Sequence, residues 1–276
     1  MTKHSHIPYF LRIAALVVAI AMPAIHAVAQ RYGDTREVTN AQILAIGANN
    51  TLDTYLSPEE HEGIELRYMS HTLRHTPGKQ WRQRIIHQAY LANTLDRSED
   101  DELMGGLYSL DCAMMRQWDL ADGKVELMAG GMIDFNIGAT YSSRNQNNPA
   151  QLRLGAAIGP TASAAWKFNM LKTRWRLGYE VAVPVVGMTF MPNYGQSYYE
   201  IFSRGEYDHN VVVTTPFNSP SMRHMLTLDA KLGSVTLRVG YLGDIVQLKA
   251  NNLKQHYYTN AFMIGFVKHV KITEIR

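Results

Sequence analysis

Hydrophobic and polar residues alternate at every second position over long segments of this chain. From Val125 to Tyr141 the odd positions are apolar, small or aromatic, while the even positions include Glu126, Asp134 and Asn136. Side chains alternate between the two faces of a β-strand, so the pattern predicts a strand with one apolar and one polar face. The segment is longer than the usual strand of about 3–10 residues. This length is typical of a tilted strand that crosses a membrane and projects beyond it.

The same alternation recurs along the rest of the chain, in residues 64–71, 152–169, 174–183, 226–232, 235–241 and 258–269. Residues 81–94 and 102–116 alternate less regularly and are also predicted as strands. Together with the segment between residue 41 and the first connection at residue 50, the count is ten strands, with Met191–Pro220 as a long excursion. If Tyr198–Phe202 and Val211–Thr215 form a hairpin that joins the wall, the count is twelve. Both numbers are even, as in bacterial single-chain barrels.

The connections between the predicted strands alternate in length. The short ones are residues 76–79, 119–123, 171–173 and 233–234, and the longer ones are residues 50–61, 95–101, 142–150, 191–220 and 251–256. Outer-membrane barrels have short periplasmic turns and longer external loops. The pattern therefore predicts an all-β fold, an antiparallel transmembrane β-barrel of 10 to 12 strands, with both termini in the periplasm.

The tryptophans support the same fold. All four, Trp81, Trp118, Trp166 and Trp175, lie beside predicted short turns. Indole rings prefer the boundary between membrane and water, where barrels carry aromatic girdles. Packing in the core of a soluble β-sandwich is the alternative.

The N-terminus has the features of a secretory signal. Lys3 and Arg12 precede an apolar run over residues 13–22, and Ala27-Val28-Ala29 has the form of a cleavage site. An uncleaved anchor is the alternative, but the run is short for a membrane helix. The predicted organisation is a signal peptide over residues 1–29, a short periplasmic lead-in over residues 30–40 and the outer-membrane barrel domain over residues 41–276.

Charge and cysteine content exclude several classes of protein. The 276 residues contain 27 Lys and Arg against 24 Asp and Glu, and removal of Lys3 and Arg12 with the signal leaves 25 against 24. This balance argues against nucleic acid as a partner. Cys112 is the single cysteine, so the chain has no internal disulfide. No apolar run after residue 29 approaches the ~18 residues of a membrane helix.

The predicted inward face carries charges of both signs. They are Glu65, Arg67, Glu126, Asp134, Arg153, Arg174, Arg176, Glu180, Asp229, Lys231 and Arg238. In a small barrel the interior is filled mostly by side chains, and isolated buried charges are costly. An ion-paired plug is therefore favoured over a narrow polar pore, which is more often lined by charges of one sign.

Polar residues near the first external loop suggest a different chemistry. Asn50, Asp53, Ser57 and Glu62 lie there, His71 and His75 follow, and further histidines are His61, His87, His209, His224 and His256, scattered over loops and inward faces. A hydrolase needs a histidine with an acidic or amide partner, and oxygen ligands at this spacing can hold calcium. No complete catalytic or calcium-loop motif is present. The sequence thus assigns no catalytic, cofactor-binding or metal-binding residue, and enzyme activity is not predicted.

One stretch carries a family resemblance. Residues Asp53–Pro58, with Gly63 and the strand Ile64–Tyr68, are similar to family 3316 of the domain-of-unknown-function series, and Ile46–Asn50 also fits. The resemblance implies a small exported protein that forms an outer-membrane barrel, and it implies no catalytic residues. A terminal aromatic residue, usual in such barrels, is replaced here by an ending at Arg276.

The sequence therefore predicts a protein of the Gram-negative cell outer membrane, either structural or handling solutes through a narrow pore. The expected partners are outer-membrane lipid and the barrel insertion machinery, with no nucleic acid and no cofactor. Two alternatives remain open: a barrel-embedded hydrolase acting on outer-leaflet lipid or lipopolysaccharide, and a soluble periplasmic β-sandwich.

Overall fold

The computed structural model describes residues 36–145 and 148–272, which form β-strands and one short helix. The predicted signal peptide lies outside the described residues. The elements are β1 (Arg36–Asp53), β2 (His61–His75), β3 (Trp81–Leu95), β4 (Glu102–Leu120), β5 (Val125–Ser142), β6 (Ala150–Met170), β7 (Thr173–Ala182), β8 (Val186–Phe190), α1 (Tyr198–Arg204), β9 (Val211–Thr214), β10 (Met222–Leu232), β11 (Val235–Ala250) and β12 (Leu253–Ile272).

Ten of the strands close into an antiparallel barrel. Strands β1 to β7 pair in sequence, β7 pairs with β10, and β10, β11 and β12 lead back to β1. The pairing of β5 with β6 completes the ring. A closed ring leaves no strand edge unpaired, which is the arrangement that hydrocarbon requires of a β-structure. The predicted transmembrane barrel fold is confirmed.

The other two strands, β8 and β9, extend the wall at one place. Beyond β7 the chain stays beside β6, because the amides of Val183 and Val185 donate to the carbonyls of Pro160 and Ile158. Pro184, which has no amide hydrogen, interrupts the strand between them. Strand β8 then pairs with β6 on one side and with β9 on the other.

The alternative of a hairpin between Tyr198–Phe202 and Val211–Thr215 is not found in the structure. Residues 198–204 form α1 instead, because Ser197 and Glu200 make a capping box at its start and Gly205 ends it in the left-handed conformation. Only Val211–Thr214 is a strand, and its partner is β8.

Connections of different length mark the two ends of the barrel. At the short-turn end lie the turns after β2, β4, β6 and β10, together with the paired Arg36 and Ile272. At the long-loop end lie residues 54–60, 96–101, 143–145, 148–149 and 191–210. The predicted long loop 251–256 is an exception, because β11 and β12 join through Asn251 and Asn252 alone. Both have positive φ (51° and 60°), which asparagine tolerates better than most residues.

The first strand begins earlier than predicted. Residues 36–40, which the sequence had placed in a lead-in segment, pair with both β2 and β12. The boundary at residue 41 therefore lies within β1.

The apolar residues of each strand face outward. Leu154 is 45% exposed and Trp166 is 51% exposed, and no second sheet of the described residues covers them. Large apolar side chains are exposed on every strand of the ring. A soluble β-sandwich buries these positions, whereas a membrane barrel presents them to lipid.

The register of the ladders sets the tilt of the strands. From Gln42 the paired residues lead through β2–β5 to Ala156 on β6, and through β12, β11, β10 and β7 to Phe168 on the same strand. Residues 156 and 168 lie 12 residues apart, which is the shear of the barrel. Ten strands with this shear tilt by about 40°.

The tilt places the tryptophans at one height. Because the strands tilt, a row of hydrogen-bonded partners moves along the barrel axis by about 1.2 residues for each strand that it crosses. Each residue rises about 2.4 Å along this axis. With this correction Trp81, Trp118, Trp166 and Trp175 all lie about 10 Å from the level of Gln42, toward the short-turn end. They form one girdle, as the sequence predicts.

Apolar side chains fill part of the barrel interior. One buried cluster joins β1, β2, β3 and β10–β12, and its members are Ala41, Ile43, Ala45, Met69, Ile86, Met225, Leu242, Ala261, Met263 and Val267. A second, smaller cluster includes Met115, Met128 and Met132 on β4 and β5. The interior is therefore packed at mid-height on these walls. Within the described residues, no helix has the length and apolarity to cross a bilayer.

Candidate functional site: a basic vestibule beside an ion-pair plug

A buried arginine at mid-height is held by two carboxylates. The guanidinium of Arg84 on β3 donates to Asp111 Oδ1 (2.7 Å), to Glu180 Oε1 (2.8 Å) and to Thr161 Oγ1 (2.8 Å). The side chain is fully buried. Because an unpaired buried ion is costly, the two carboxylates are what permit Arg84 to occupy the interior.

Two further groups extend this network to other strands. Arg223 on β10 donates to Asp111 Oδ2 (2.5 Å), and His71 Nε2 on β2 lies 3.1 Å from Glu180 Oε2. We call Arg84, Asp111, Glu180, Arg223 and His71 the ion-pair plug. Its two arginines are balanced by its two carboxylates, and it links five strands across the barrel.

A second ion pair lies nearer the long-loop end. Arg67 donates to Glu65 Oε1 (2.7 Å) and to Asp244 Oδ2 (2.6 Å). Asn49 Nδ2 (2.8 Å) and Thr259 Oγ1 (2.7 Å) donate to the other oxygen of Glu65. The buried charges are thus both paired and hydrogen-bonded, which is what keeps such groups in a low-dielectric interior.

Between the plug and the short-turn end, the interior opens into a cavity of about 870 Å³. His71, Arg84 and Glu180 of the plug line its inner end. The other charged residues that line it are Asp122, Lys124, Glu126, Lys167, Arg174, Arg176, Asp229, Lys231 and Arg238. We call this cavity the basic vestibule. Its volume falls in the range of small-molecule sites.

The wall of the vestibule has too few carboxylates for its cations. Arg238 makes two bonds to Asp229 (2.6 and 2.8 Å), and Arg176 lies 3.8 Å from the same carboxylate. Arg176 also lies 3.5 Å from Glu126, which receives Lys167 at 2.7 Å. Two carboxylates therefore serve three cations.

Three more cations stand at the vestibule mouth. Lys124, Arg174 and Lys231 are exposed and make no ion pair among the residues that the structure describes. The lining contains four carboxylates, including Asp122 in the β4–β5 turn, against seven Lys and Arg side chains. The vestibule thus carries an excess of positive charge, and a concave site of one sign attracts oppositely charged solutes.

The opposite half of the barrel is much tighter. The cavity on that side has a volume of about 150 Å³. Arg153 fills the centre, with its guanidinium 3.5 Å from the ring centroid of Tyr257 and 2.5 Å from the hydroxyl of Tyr90. The interior is therefore open at the short-turn end and filled toward the long-loop end.

The long loops cover the filled end. Tyr55 donates its hydroxyl to the carbonyl of Gln196 (2.9 Å), and burial with the nearby Asp53 carboxylate raises the pKa of Tyr55 to about 12. The hydroxyl of Tyr198 donates to Gln151 (3.0 Å) and accepts from the amide of Leu152 (2.6 Å). Burial raises the pKa of Tyr198 as well, so both phenols stay protonated and able to donate.

The candidate hydrolase residues are not brought together. His71 is paired with Ala41, and Asp53 lies 12 residues further along β1, about 40 Å at 3.3 Å per residue. Asp53 instead accepts from Tyr257 (2.9 Å) and Gln255 (3.0 Å). Ser57 bonds through its amide to the carbonyl of Asp53.

The candidate calcium ligands diverge as well. Asn50 faces outward, where it bonds Glu62 (3.2 Å) and His256 (2.7 Å), whereas Asp53 faces inward. Among the described residues, no group of three His, Cys, Asp or Glu side chains is arranged to hold a metal ion.

The histidines are divided between the two faces. His71 and His61 face inward, and His61 Nε2 lies 3.3 Å from Asp101. His87, His224 and His256 share their faces with exposed apolar residues and point outward, contrary to the sequence prediction of loop or inward positions.

Most inward charges are where the sequence predicts them, in the ion-pair networks or around the vestibule. Four important ones were missed: Arg84, Asp111, Arg223 and Asp244. The first two lie in the strands that alternate poorly. The other two lie beyond the ends of the predicted strands. They are nevertheless an even number of residues from Asp229 and Arg238 on the same strands and therefore face inward with them.

Comparison with known families gives a match over nearly the whole chain. The model of DUF3316, described as a protein of unknown function, matches residues 10–276. The chain belongs to the DUF3316 family. No curated protein matches the sequence.

Several solved outer-membrane proteins have similar folds. Neisserial surface protein A is 10% identical, with 82% of this chain and 95% of that chain covered and a TM-score of 0.36. The outer membrane protease OmpT from Escherichia coli is 7% identical (88% and 99% covered, TM-score 0.43). The transport unit of the autotransporter AIDA-I from Escherichia coli is 7% identical (94% and 97% covered, TM-score 0.42).

Proposed function

We propose that the protein is a non-conducting barrel of the Gram-negative outer membrane whose basic vestibule opens to the periplasm and binds small multivalent anions. The observation that carries this proposal is the 870 Å³ cavity with its unpaired Lys124, Arg174 and Lys231. Outer-membrane lipid and the barrel insertion machinery are then its partners during and after assembly.

The orientation follows from the connections. Barrels of this class keep short turns in the periplasm and long loops outside. The short-turn end carries four tight turns and the tryptophan girdle. The start of β1 at Arg36 and the end of β12 at Ile272 lie there as well. The vestibule mouth lies at this end, so its solutes come from the periplasm.

The closed state follows from the plug. Arg84, Asp111, Glu180 and Arg223 bind one another across the barrel, and the apolar cluster around Met69 and Met263 packs against the remaining wall. An ion that passed the plug would have to disrupt buried pairs, which is costly. This supports a plug over a pore. No observation favours the hydrolase alternative.

The anion preference follows from the charge balance. Solutes with phosphate or carboxylate groups accept charge-assisted bonds from Lys and Arg, and such bonds are stronger than neutral ones. The three unpaired cations at the mouth are free to make them without breaking an existing ion pair.

Calorimetric titration of the detergent-folded protein with inorganic tripolyphosphate tests the proposal. We expect saturable binding that weakens as salt is raised, because the attraction is electrostatic. The double substitution Arg174→Gln and Lys231→Gln is expected to lower the affinity by about tenfold, because each exposed charge contact contributes up to about 1 kcal/mol.

The matched control is Lys249→Gln at the opposite end of the barrel. Lys249 is exposed and lies outside the vestibule, so its loss should leave the affinity unchanged. Absence of heat of binding, or an equal loss of affinity in the control, contradicts the proposal.

A further inference from the structure

Two arginines point outward from the short-turn half of the barrel wall. Arg74 on β2 shares its face with the exposed Leu66, and Arg116 on β4 shares its face with the exposed Trp118. Neither arginine makes an ion pair among the residues that the structure describes. A charge that faces hydrocarbon without a partner is costly, so the two guanidinium groups indicate that an anion binds here.

No carboxylate of the described outer wall is near enough to be this anion. The outward acids of β2 and β4 are Glu62 and Glu102, which lie 12 and 14 residues from the arginines, about 40 Å or more at 3.3 Å per residue. Two closer acids face inward, where they bond other residues: Glu37 with Lys271 (3.0 Å) and Asp119 with Gln117 (2.7 Å). The described chain itself therefore does not supply the anion.

The register places the two arginines close together. Arg74 is paired with Gln83, and Gln83 is paired with Met114. Arg116 lies two residues beyond Met114 on the same face of β4. Neighbouring strands are about 4.8 Å apart, so about 10 Å separates the two arginine-bearing strands. Arginine side chains are long enough to converge over this distance on one phosphate group, whose geometry matches the guanidinium fork.

Further hydrogen-bond donors lie between and beside the arginines. Gln83 is exposed and makes no side-chain hydrogen bond among the described residues. Arg116 donates from Nε to Gln80 Oε1 (3.1 Å), and its guanidinium lies 5.6 Å from the ring centroid of Trp118. These contacts hold Arg116 against the wall and leave its two terminal nitrogens available.

The arginines lie just inside the tryptophan girdle. Corrected for the tilt of the strands, Arg74 and Arg116 are about 6 Å from the level of Gln42 toward the short-turn end, whereas the girdle is about 10 Å from it. Arginine side chains at such a depth extend to the headgroups at the membrane surface. This placement rests on the membrane location and orientation proposed above, but not on anion binding in the vestibule.

An apolar groove extends from the arginines toward the centre of the membrane. It has a volume of about 720 Å³, with Gln83 at one end and Ile158 at the other. Corrected for the tilt, these ends lie about 4 Å on the short-turn side of Gln42 and about 10 Å on the other side. Cys112 also lines the groove, and the guanidinium of Arg74 is close enough to interact with it electrostatically. The direction and length of the groove fit an acyl chain whose headgroup lies at the arginines.

From the arginines and the groove together, we propose that the outer wall of β2–β6 holds one anionic diacyl phospholipid of the periplasmic leaflet. Arg74 and Arg116 bind its phosphate, Gln83 donates to a headgroup or ester oxygen, and one acyl chain lies in the groove. The wall faces lipid at this depth, and the phosphate is the anion that a lipid supplies there. A second copy of this chain is disfavoured as the occupant, because a twofold contact would bring faces of like charge together.

Native mass spectrometry of the detergent-folded protein tests the headgroup contact. With equal amounts of dioleoyl phosphatidylglycerol and dioleoyl phosphatidylcholine, we expect the wild type to retain the anionic lipid about fivefold more, as each arginine near an anionic surface contributes about this factor. The double substitution Arg74→Gln and Arg116→Gln should abolish the preference.

Two controls separate this site from other cations. Lys268→Gln removes an outward cation at similar height on β12, outside the groove, and should keep the preference. Arg174→Gln with Lys231→Gln should keep it as well, so that failure of the vestibule and failure of the lipid site are distinguishable. Equal retention of the two lipids by the wild type, an equal loss in Lys268→Gln, or displacement of the lipid by glycerol 3-phosphate overturns the proposal.

Photolabelling in membranes tests the groove. Phosphatidylglycerol with a diazirine in its acyl chain, in phosphatidylcholine vesicles, is expected to label the tryptic peptides 125–144 and 154–167 of the wild type. Gly131→Leu should lower this labelling severalfold, because a Cβ there meets only the carbonyl oxygen of Gly159 at 4.0 Å and the side chain fills the groove. Ala139→Leu, outward on the same strand beyond the groove, should not. Labelling spread evenly over all strands contradicts a defined site.

Discussion

At the scale of single residues, Arg84 shows how strongly a buried charge depends on its partners. Arg84→Ala leaves Asp111 and Glu180 short of one cation in the interior. Removing one partner of a buried ion pair costs about 3–5 kcal/mol. We expect the urea midpoint of the detergent-folded barrel to fall accordingly.

The control for this substitution is Arg97→Ala in the loop between β3 and β4. Arg97 is exposed, so its loss should change the stability by at most about 0.5 kcal/mol. Equal midpoints for the two variants would mean that the plug does not stabilise the barrel.

The sequence predicts the direction of a charged side chain much better than its partner. Alternation alone assigns Glu180 and Arg67 to the inside. The contact between Asp111 and Arg223, 112 positions apart, depends on closure of the barrel and cannot be read from spacing. Arg84 and Asp111 escaped prediction because β3 carries polar residues on its outer face and β4 carries apolar residues such as Met115 on its inner face, which weakens the alternation of both strands.

At the scale of elements, the two-residue turn between β11 and β12 also anchors the longest loop. Asn251 Nδ2 donates to the carbonyls of Met191 and His209, each at 3.0 Å. Asn251→Ala removes these bonds and places alanine at a positive φ, which is strained. We expect faster tryptic cleavage at Arg204 in α1 of the folded protein.

Lys172→Ala in the β6–β7 turn is the comparison for this experiment, because it changes an exposed residue at the other end of the barrel. An unchanged cleavage rate at Arg204 in Asn251→Ala would show that the loop is held by its other contacts, such as Tyr198 with Gln151.

Element prediction succeeded where one physical rule dominated. Seven of the ten wall strands show a clear alternation of apolar and polar residues, and three of the four predicted short turns contain Gly. It failed at residues 198–204, where short apolar stretches suggested a strand. The capping box of Ser197 and Glu200 was present in the sequence and indicates a helix start. Pro184 was similarly visible in the sequence as a break in the strand. The pairing of β8 with β6 and β9 could not be predicted from it, because that pairing depends on how the barrel closes.

At the scale of the whole molecule, the barrel is asymmetric along its axis. It is open at the short-turn end and filled toward the other. In planar lipid bilayers we expect no conductance steps from the wild type. Asp111→Ser with Arg223→Ser removes one ion pair from the plug while Arg84 and Glu180 stay paired, so measurable conductance should appear.

Asp122→Ser with Lys124→Ser, at the vestibule mouth, is the matched control and should leave the barrel closed. Steady conductance from the wild type would contradict the closed state. The inward charges would then line a narrow polar pore instead of forming a plug.

The single girdle of tryptophans has a practical consequence for spectroscopy. All four indoles of the chain lie at one height, so the tryptophan fluorescence of the folded barrel originates at one boundary of the bilayer. Quenchers carried by lipids of that leaflet will reach the emitting rings, whereas those in the opposite leaflet will lie too far away. The protein thus contains its own depth marker, and its emission reports on one leaflet only.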